Sequence, residues 1–194
     1  VYVINVDTER AGHFDDLSTT PETDRLVKLA SSNECRGVLA SIPCSPYSAA
    51  RHTGDSGPGP LFDVDNVDGI KDANGQLPLA TLKANTIRAN TIKICEATLS
   101  NATRPGDVIL EHPVGRGKSS QYAIKGRERH SPIWNCTDMA AFAATWHLQP
   151  VVFDQCRKGA DTSKTTMLMC SKNILPEVQS RLGHLICNHP HGTH

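Results

Sequence analysis

Strand-like and helix-like segments alternate along this chain, and the alternation restricts its fold more than any other feature. Residues 36–42 and 107–110 are aliphatic runs that stop at Pro43 and before Glu111, as short buried strands do. Between them, residues 79–99 carry apolar side chains at helical spacing. Alternating strands and helices are typical of α/β proteins, so the sequence predicts an α/β fold with a mostly parallel sheet.

The remaining elements follow from the same patterns. Further strands are predicted at 1–6, 150–154 and 165–170, and further helices near residue 18 and at 137–146. Residues 52–78 hold glycines, prolines and acids without periodicity, which predicts a long loop. We assign residues 1–186 to one domain and residues 187–194 to a histidine-rich C-terminal tail.

Length and composition narrow the class of protein. With 194 residues, 38% of them hydrophobic and 21% charged, the chain can form one core of ordinary size. Its apolar runs are shorter than the ~20 residues that cross a bilayer, and no secretory signal opens the sequence. Seven cysteines at irregular spacing favour reduced thiols, so we expect an intracellular protein, nuclear or cytoplasmic.

The charges cancel over the whole chain but are unevenly distributed. Residues 1–75 carry 12 Asp and Glu against 6 Lys and Arg, so the remainder of the chain is basic. A basic loop at 115–130 contains Arg116, Lys118, Lys125, Arg127 and Arg129. It is a candidate for contacts with nucleic-acid phosphates, and the alternative is an ordinary solvated loop.

The most informative segment is residues 43–48 (PCSPYS), which follows a predicted strand and presents Cys44 on a rigid turn. Glu111 follows another predicted strand in the same way. Sites of open α/β sheets lie at the carboxyl ends of strands, so a thiol and a carboxyl there can face one ligand. The alternatives are a buried cysteine at a strand end and a solvated or salt-bridged acid.

Taken in order, these motifs resemble the S-adenosylmethionine-dependent cytosine-C5 DNA methyltransferases. Residues 43–48 are similar to that family's proline-cysteine-glutamine-proline-phenylalanine-serine loop, and Glu111-His112-Pro113 stands where the family has glutamate-asparagine-valine. Lys164 lies near the position of a basic residue of the family. The resemblance implies a Rossmann-like methyltransferase fold with helices on both faces of the sheet.

The resemblance also implies roles for single residues. Cys44 would be the nucleophile that adds to C6 of cytosine, with Glu111 at the N3 edge of the ring and Lys164 assisting. The base would have to leave a DNA duplex to reach Cys44. S-adenosylmethionine would be bound by a set of four residues: Asp7 at the ribose, Asp16 and Leu17 at the adenine, and Pro43.

The sequence departs from the family at several points. Ile42, Ser45 and His112-Pro113 replace a proline, a glutamine and an asparagine-valine pair. The first strand and glycine-rich loop of the fold are not found, nor is a long insertion for target recognition. Taken together, Glu111-His112-Pro113, residues 153–156 (FDQC), the region of Lys164 and the histidine-rich end resemble the divergent methyltransferase-like domains of mobile-element polyproteins.

Two other classes of function remain open. One is a non-catalytic module of the same fold that binds nucleic acid or cofactor. The other is a cysteine hydrolase in which His52 or His112 activates Cys44, although no spacing singles out a base. The tail holds four potential zinc ligands, for which a polar chain end is the alternative: Cys187, His189, His191 and His194. We predict no metal site.

Overall fold

The computed structural model describes residues 16–54, 57–159 and 164–188. In chain order its elements are α1 (Thr20–Ala30), β1 (Gly37–Ser41), α2 (Leu79–Leu99), β2 (Asp107–Pro113), α3 (Thr137–Thr145), β3 (Gln149–Asp154), β4 (Thr165–Cys170) and α4 (Leu175–Leu182). Short 3₁₀ helices cover Ser45–Tyr47, Ala49–His52, Ile133–Asn135 and Gln155–Lys158. None of the helices in these ranges has the length and apolar composition needed to span a membrane.

Most of the predicted elements in the described ranges are confirmed. The predicted helix at 79–99 and strand at 165–170 coincide with α2 and β4. The sequence analysis missed α4, although Pro176 in its first turn and the spacing of Leu175, Val178 and Leu182 are helix signals. The predicted strand at 1–6 lies outside the described residues.

The α/β class is confirmed, but the expectation of a mostly parallel sheet is wrong for the described strands. The strand order is β1-β2-β4-β3, with β1 parallel to β2 and with β4 antiparallel to both β2 and β3. Only a short connection joins β3 to β4, and a parallel pair would need a longer crossover. A strand pattern alone does not reveal this direction, because buried strands of either kind are apolar runs.

Helices cover both faces of the sheet. On the first face, α2 and α3 pack on β1 and β2, and we call the buried residues there the first-face cluster: Ile42, Tyr47, Phe62, Ala84, Ile92, Cys95, Val108, Leu110, Ile133, Cys136, Met139, Phe142 and Leu148. On the other face, α4 packs on β3 and β4 over the second-face cluster: Val151, Leu168, Cys170 and Val178. Helix α1 packs against α2.

The alternation of side chains along β2 decides which residues can share a site. Val108 and Leu110 lie in the first-face cluster, whereas Ile109 packs against the second-face cluster. Since successive residues of a strand point to opposite faces, His112 belongs to the first face and Glu111 to the second. The register Glu111 with Leu168 agrees with this assignment.

Candidate functional site

Cys44 lies in the loop that follows β1. Ile42 is buried at the end of the strand, and the chain then turns outward so that Pro43 and Cys44 are exposed. The Cys44 carbonyl accepts a hydrogen bond from the Tyr47 amide at 3.0 Å, which closes a short 3₁₀ turn. The alternative of a buried cysteine at this strand end is therefore wrong, because the thiol is accessible.

Tyr47 anchors this loop in the core. Its side chain is 3% exposed and stacks on Phe62 with ring centroids 4.5 Å apart. The phenol oxygen accepts a hydrogen bond from Arg88 Nη1 at 3.0 Å, and the Tyr47 carbonyl lies 2.9 Å from His130 Nε2. Burial raises the pKa of Tyr47 to about 12, so the phenol stays protonated. Three residues after Cys44, the chain is thus held by packing and by hydrogen bonds.

Cys44 borders a cavity of about 240 Å³ at the end of the sheet. Lys164, directly before β4, lines the same cavity, although 120 residues of sequence separate the two positions. The other lining residues are Tyr47, Ser48, Ala49, His112, Pro113, Val114, Arg116, His130 and Pro132. Two of the three residues that the resemblance makes catalytic therefore meet at one cavity.

Glu111, the third of these residues, stands behind the cavity instead of lining it. The prediction that it follows its strand is wrong, because β2 continues to Pro113 and Glu111 lies inside it. Its Oε1 lies 3.7 Å from Lys164 Nζ, and its Oε2 accepts a hydrogen bond from the Ser41 hydroxyl. The side chain is 19% exposed and belongs to the second face of the sheet. Lys164 is thus the link between Glu111 and the cavity. The ion pair also agrees with the alternative of a salt-bridged acid.

His112 contributes a buried ring to the cavity wall. It is 2% exposed and meets the rings of Tyr47 and Trp134 edge-on, with centroids 5.5 and 6.0 Å away. Burial lowers the pKa of His112 to about 4, so the imidazole is neutral near pH 7. Within the described residues its Nε2 has no hydrogen-bond partner. His112 is therefore an inner packing residue of the site.

The other histidines near Cys44 have structural partners too. His130 Nδ1 accepts the Arg116 amide at 2.9 Å, so its Nε2 carries the proton that Tyr47 O accepts. His52 meets His130 edge-on, with centroids 5.5 Å apart. Among the described residues, no hydrogen bond joins either His52 or His112 to Cys44. This geometry offers no oriented base for a cysteine hydrolase.

A second, open groove of about 700 Å³ lies on the other side of Cys44. Two arginines border it, and the side chains of both are engaged by other groups of the protein. Arg51 donates to the carbonyls of Ser45 at 2.8 Å and Gly59 at 3.0 Å. Arg129 pairs with the carboxylates of two acids, Asp63 at 2.5 Å and Asp65 at 2.8 Å. The groove is therefore close to neutral in charge.

The basic loop at 115–130 divides into two kinds of side chain. Lys118 and Lys125 are exposed to solvent. Arg129 is tied to acids, and Arg116 turns back to line the cavity beside Cys44. The loop is closed by hydrogen bonds between its two ends, and an added Cβ at Gly117 would stand 2.2 Å from the His130 carbonyl. Glycine is required for this approach.

Of the described residues assigned to S-adenosylmethionine, Pro43 directly precedes Cys44 in the exposed loop, whereas Asp16 and Leu17 lie away from it. Asp16 accepts a hydrogen bond from the Ser18 amide at 2.9 Å and pairs with Lys83 at 3.4 Å; the amide contact lowers the pKa of Asp16. The Leu17 carbonyl accepts from Asn90, and neither residue lines the cavity or the groove. Asp7 lies outside the described residues.

Within the described residues no group of three or more histidine, cysteine or acidic side chains converges to hold an ion. His189, His191 and His194 of the tail lie outside those residues.

No protein-family model, curated protein or solved structure matches this chain. The site is therefore interpreted from its own geometry and from the motifs. Sequence reasoning assigned Arg116 to a phosphate-binding loop and interpreted His130 as a surface or core histidine; His130 is buried, and both residues line the cavity. A signal for Arg116 was present, because it stands three residues beyond the end of β2, the position from which a side chain can reach a strand-end site.

Proposed function

We propose that this chain is an S-adenosylmethionine-dependent DNA methyltransferase-like domain in which Cys44 adds covalently to C6 of a cytosine, for methylation at C5. The observation that carries the proposal is the cavity that joins the exposed Cys44 thiol to Lys164. At about 240 Å³ it is smaller than the ~300–1,000 Å³ of pockets for drug-sized ligands. That size suits a single ring better than a whole nucleotide.

The residues at the cavity have different roles in the addition step. The Cys44 thiolate forms the bond to C6, and the C5=C6 π pair is delocalised over C5, N3 and the carbonyl oxygen. Lys164 donates a hydrogen bond to the ring as negative charge develops there. Glu111, 3.7 Å from the ammonium, holds Lys164 in place. S-adenosylmethionine would supply an electrophilic methyl group, and Asp7, Asp16, Leu17 and Pro43 are the residues assigned to it by resemblance.

The fold and the surface are compatible with this proposal. Cys44 follows β1, and Glu111 is the last residue of the neighbouring parallel strand β2 that pairs with β1, near the edge where α/β sheets carry their sites. Mixed sheets are common among doubly wound folds, so the antiparallel β4 does not exclude a Rossmann-like methyltransferase. Exposed Lys118 and Lys125 are available for phosphate contacts that would hold DNA against the site.

The addition step can be tested separately from methyl transfer. A thiolate adduct at C6 makes C5 able to accept a proton from water, so C5–H of cytosine should exchange for deuterium. We expect a cytosine oligonucleotide in D₂O to lose its C5 proton signal by NMR in the presence of the protein. Cys44→Ser should abolish the exchange, whereas Cys35→Ser, at a half-buried thiol away from the cavity, should not. Absence of exchange, with or without S-adenosylhomocysteine, would contradict the proposal.

A non-catalytic module is the second candidate, and two observations favour it. The described cofactor residues do not border the cavity, and Glu111 stands behind Lys164. Such a module would bind the oligonucleotide and leave its C5 protons in place. Fluorescence anisotropy of the same oligonucleotide, measured beside the exchange, separates the two candidates.

A further inference from the structure

Two cations share the cavity beside Cys44, and among the described residues only one of them has a carboxylate partner. Lys164 is paired with Glu111. Arg116 lines the same cavity, is half-buried, and reaches it from the loop after β2. Its backbone is fixed, since its amide donates to His130 Nδ1 at 2.9 Å and its carbonyl accepts from Ile124 at 3.1 Å. The fixed backbone holds the base of the Arg116 side chain at the cavity wall.

The Arg116 guanidinium has more donors than partners. Within the described residues it donates one long hydrogen bond, from Nη1 to the Tyr122 carbonyl at 3.4 Å. A guanidinium carries five N–H donors. Burial lowers the pKa of Arg116, and the nearby Asp154 opposes that effect only in part. The Asp154 carboxylate is already used by the Thr165 hydroxyl at 2.5 Å and the Cys187 amide at 2.7 Å.

We propose that Arg116 is a substrate-binding cation of this cavity, which donates to the carbonyl oxygen of the pyrimidine and stabilises the charge formed when Cys44 adds. The proposal rests on the proposed function of the site. In the addition, the Cys44 Sγ lone pair forms the bond to C6, and the C5=C6 π pair shifts onto C5, N3 and the carbonyl oxygen. One negative charge thereby moves from sulfur to the ring. A hydrogen-bonding cation aimed at that oxygen lowers the barrier.

Arg116 suits this role better than Lys164 does. Lys164 is engaged by Glu111, whereas the donors of Arg116 remain available to a ligand. Guanidinium donors are also planar and arranged as a fork, which matches an in-plane carbonyl of a ring. The two cations therefore have different roles. Lys164, paired with Glu111, donates to the ring, and Arg116 donates to the carbonyl oxygen of the substrate.

The positive charge beside Cys44 can be measured without any nucleic acid. Iodoacetate and iodoacetamide alkylate a thiolate in the same way, forming the S–CH₂ bond and releasing iodide, but only iodoacetate is an anion. The ratio of their rates at Cys44, read by peptide mass spectrometry, reports the local potential. We expect Arg116→Met to lower this ratio about three- to tenfold, the effect of one nearby charge in a partly hydrated site. Arg116→Lys should retain most of it.

A control cation lies at the other end of β4. Lys172 is exposed, follows the end of β4 opposite Lys164 and does not line the cavity, so Lys172→Met should leave the ratio unchanged. Thermal unfolding of each variant establishes that the protein is folded. An unchanged ratio in folded Arg116→Met, or an equal fall in Lys172→Met, would overturn the inference.

The deuterium exchange at C5 provides the second measurement. We expect exchange to slow at least tenfold in Arg116→Met, with partial recovery in Arg116→Lys. Wild-type exchange that continues at full rate in Arg116→Met overturns the role of Arg116 and leaves the proposed function intact. A shifted alkylation ratio with no exchange in any protein shows the reverse, an anion-attracting cavity without the proposed reaction.

Discussion

The two faces of the sheet are stabilised in different ways. On the first face, buried polar side chains stand among the apolar ones, with Arg88 at 3% exposure, His112 at 2% and the Tyr47 phenol joined to Arg88. The second-face cluster consists of apolar residues and a cysteine, and the polar contacts of Glu111 with Ser41 and Lys164 lie outside it, at the end of that face. Apolar packing tolerates small shifts, whereas hydrogen bonds are directional. The face that carries the site is therefore the one in which positions are fixed by directional contacts.

Arg88 shows how this works. From α2 it reaches four other groups: the Asp138 carboxylate at 2.6 Å, the Asn85 amide oxygen at 2.9 Å, the Tyr47 phenol at 3.0 Å and the Asp68 carboxylate at 3.6 Å. It thereby connects two helices to the loop that presents Cys44. A buried cation is tolerated only when it is paired and hydrogen-bonded, so these partners depend on one another.

Removing the Arg88 cation should give the largest loss of unfolding free energy. We expect Arg88→Met to lower the free energy of unfolding by about 4 kcal/mol, because the partners it leaves behind are partly buried and unpaired. Urea unfolding measures the loss. Arg127→Met, in the basic loop, is the control and should change stability by less than ~0.5 kcal/mol. A loss below ~1 kcal/mol in Arg88→Met would mean that the first face, too, depends mainly on apolar packing.

The second largest effect should come from acidic pH, which is expected to lower the free energy of unfolding through His112 of the first face. The pKa of His112 is lowered from 6.5 to about 4 in the folded protein, so the folded state favours the neutral ring. That stabilisation is complete above pH 6.5 and is lost as the pH falls from 6.5 toward 4, by about 3 kcal/mol. The pKa values of His130 and His52 are also lowered by burial, which adds to the loss.

The variant His112→Asn tests the assignment of this pH dependence. Urea unfolding of wild type and variant at several pH values between 7 and 4.5 should show a shallower decline in the variant. Since carboxylates titrate equally in both proteins, their difference isolates the histidine. Parallel curves would show that His112 does not carry the effect.

The smallest loss of unfolding free energy is expected for a substitution on the second face. Val178→Ala removes two methyl groups from a buried position of α4 and should cost about 1–2 kcal/mol in unfolding free energy. Because this face does not hold the Cys44 loop, the alkylation rate of Cys44 should stay at the wild-type value. A changed rate in Val178→Ala would show that the two faces are coupled, and the comparison between them would fail.

Local features of the structure could be predicted from the sequence because their signals are local. Helix α2 and strand β4 have the predicted bounds, since periodicity and flanking prolines act within a few residues. The placement of Cys44 directly after a strand follows for the same reason. Helix α4 has local signals of the same kind, a proline in its first turn and apolar residues at helical spacing, so it too could be predicted from the sequence.

The direction of β4 and the composition of the cavity were decided by tertiary structure. β4 inserts between β2 and β3, a pairing that leaves no periodic trace in the sequence. The resemblance suggested Glu111 as a group facing the substrate, yet the pleat of β2 turns it away and Lys164 forms the link.

The sequence by itself therefore determined where the helices and strands lie and that Cys44 would be presented at a strand end. Only the tertiary structure brought Lys164 and Arg116 to Cys44 and separated Glu111 from His112. The physical reason is the range of the interactions involved. Backbone hydrogen bonding and side-chain periodicity are local, whereas strand order and the meeting of distant loops depend on packing between residues far apart in the chain.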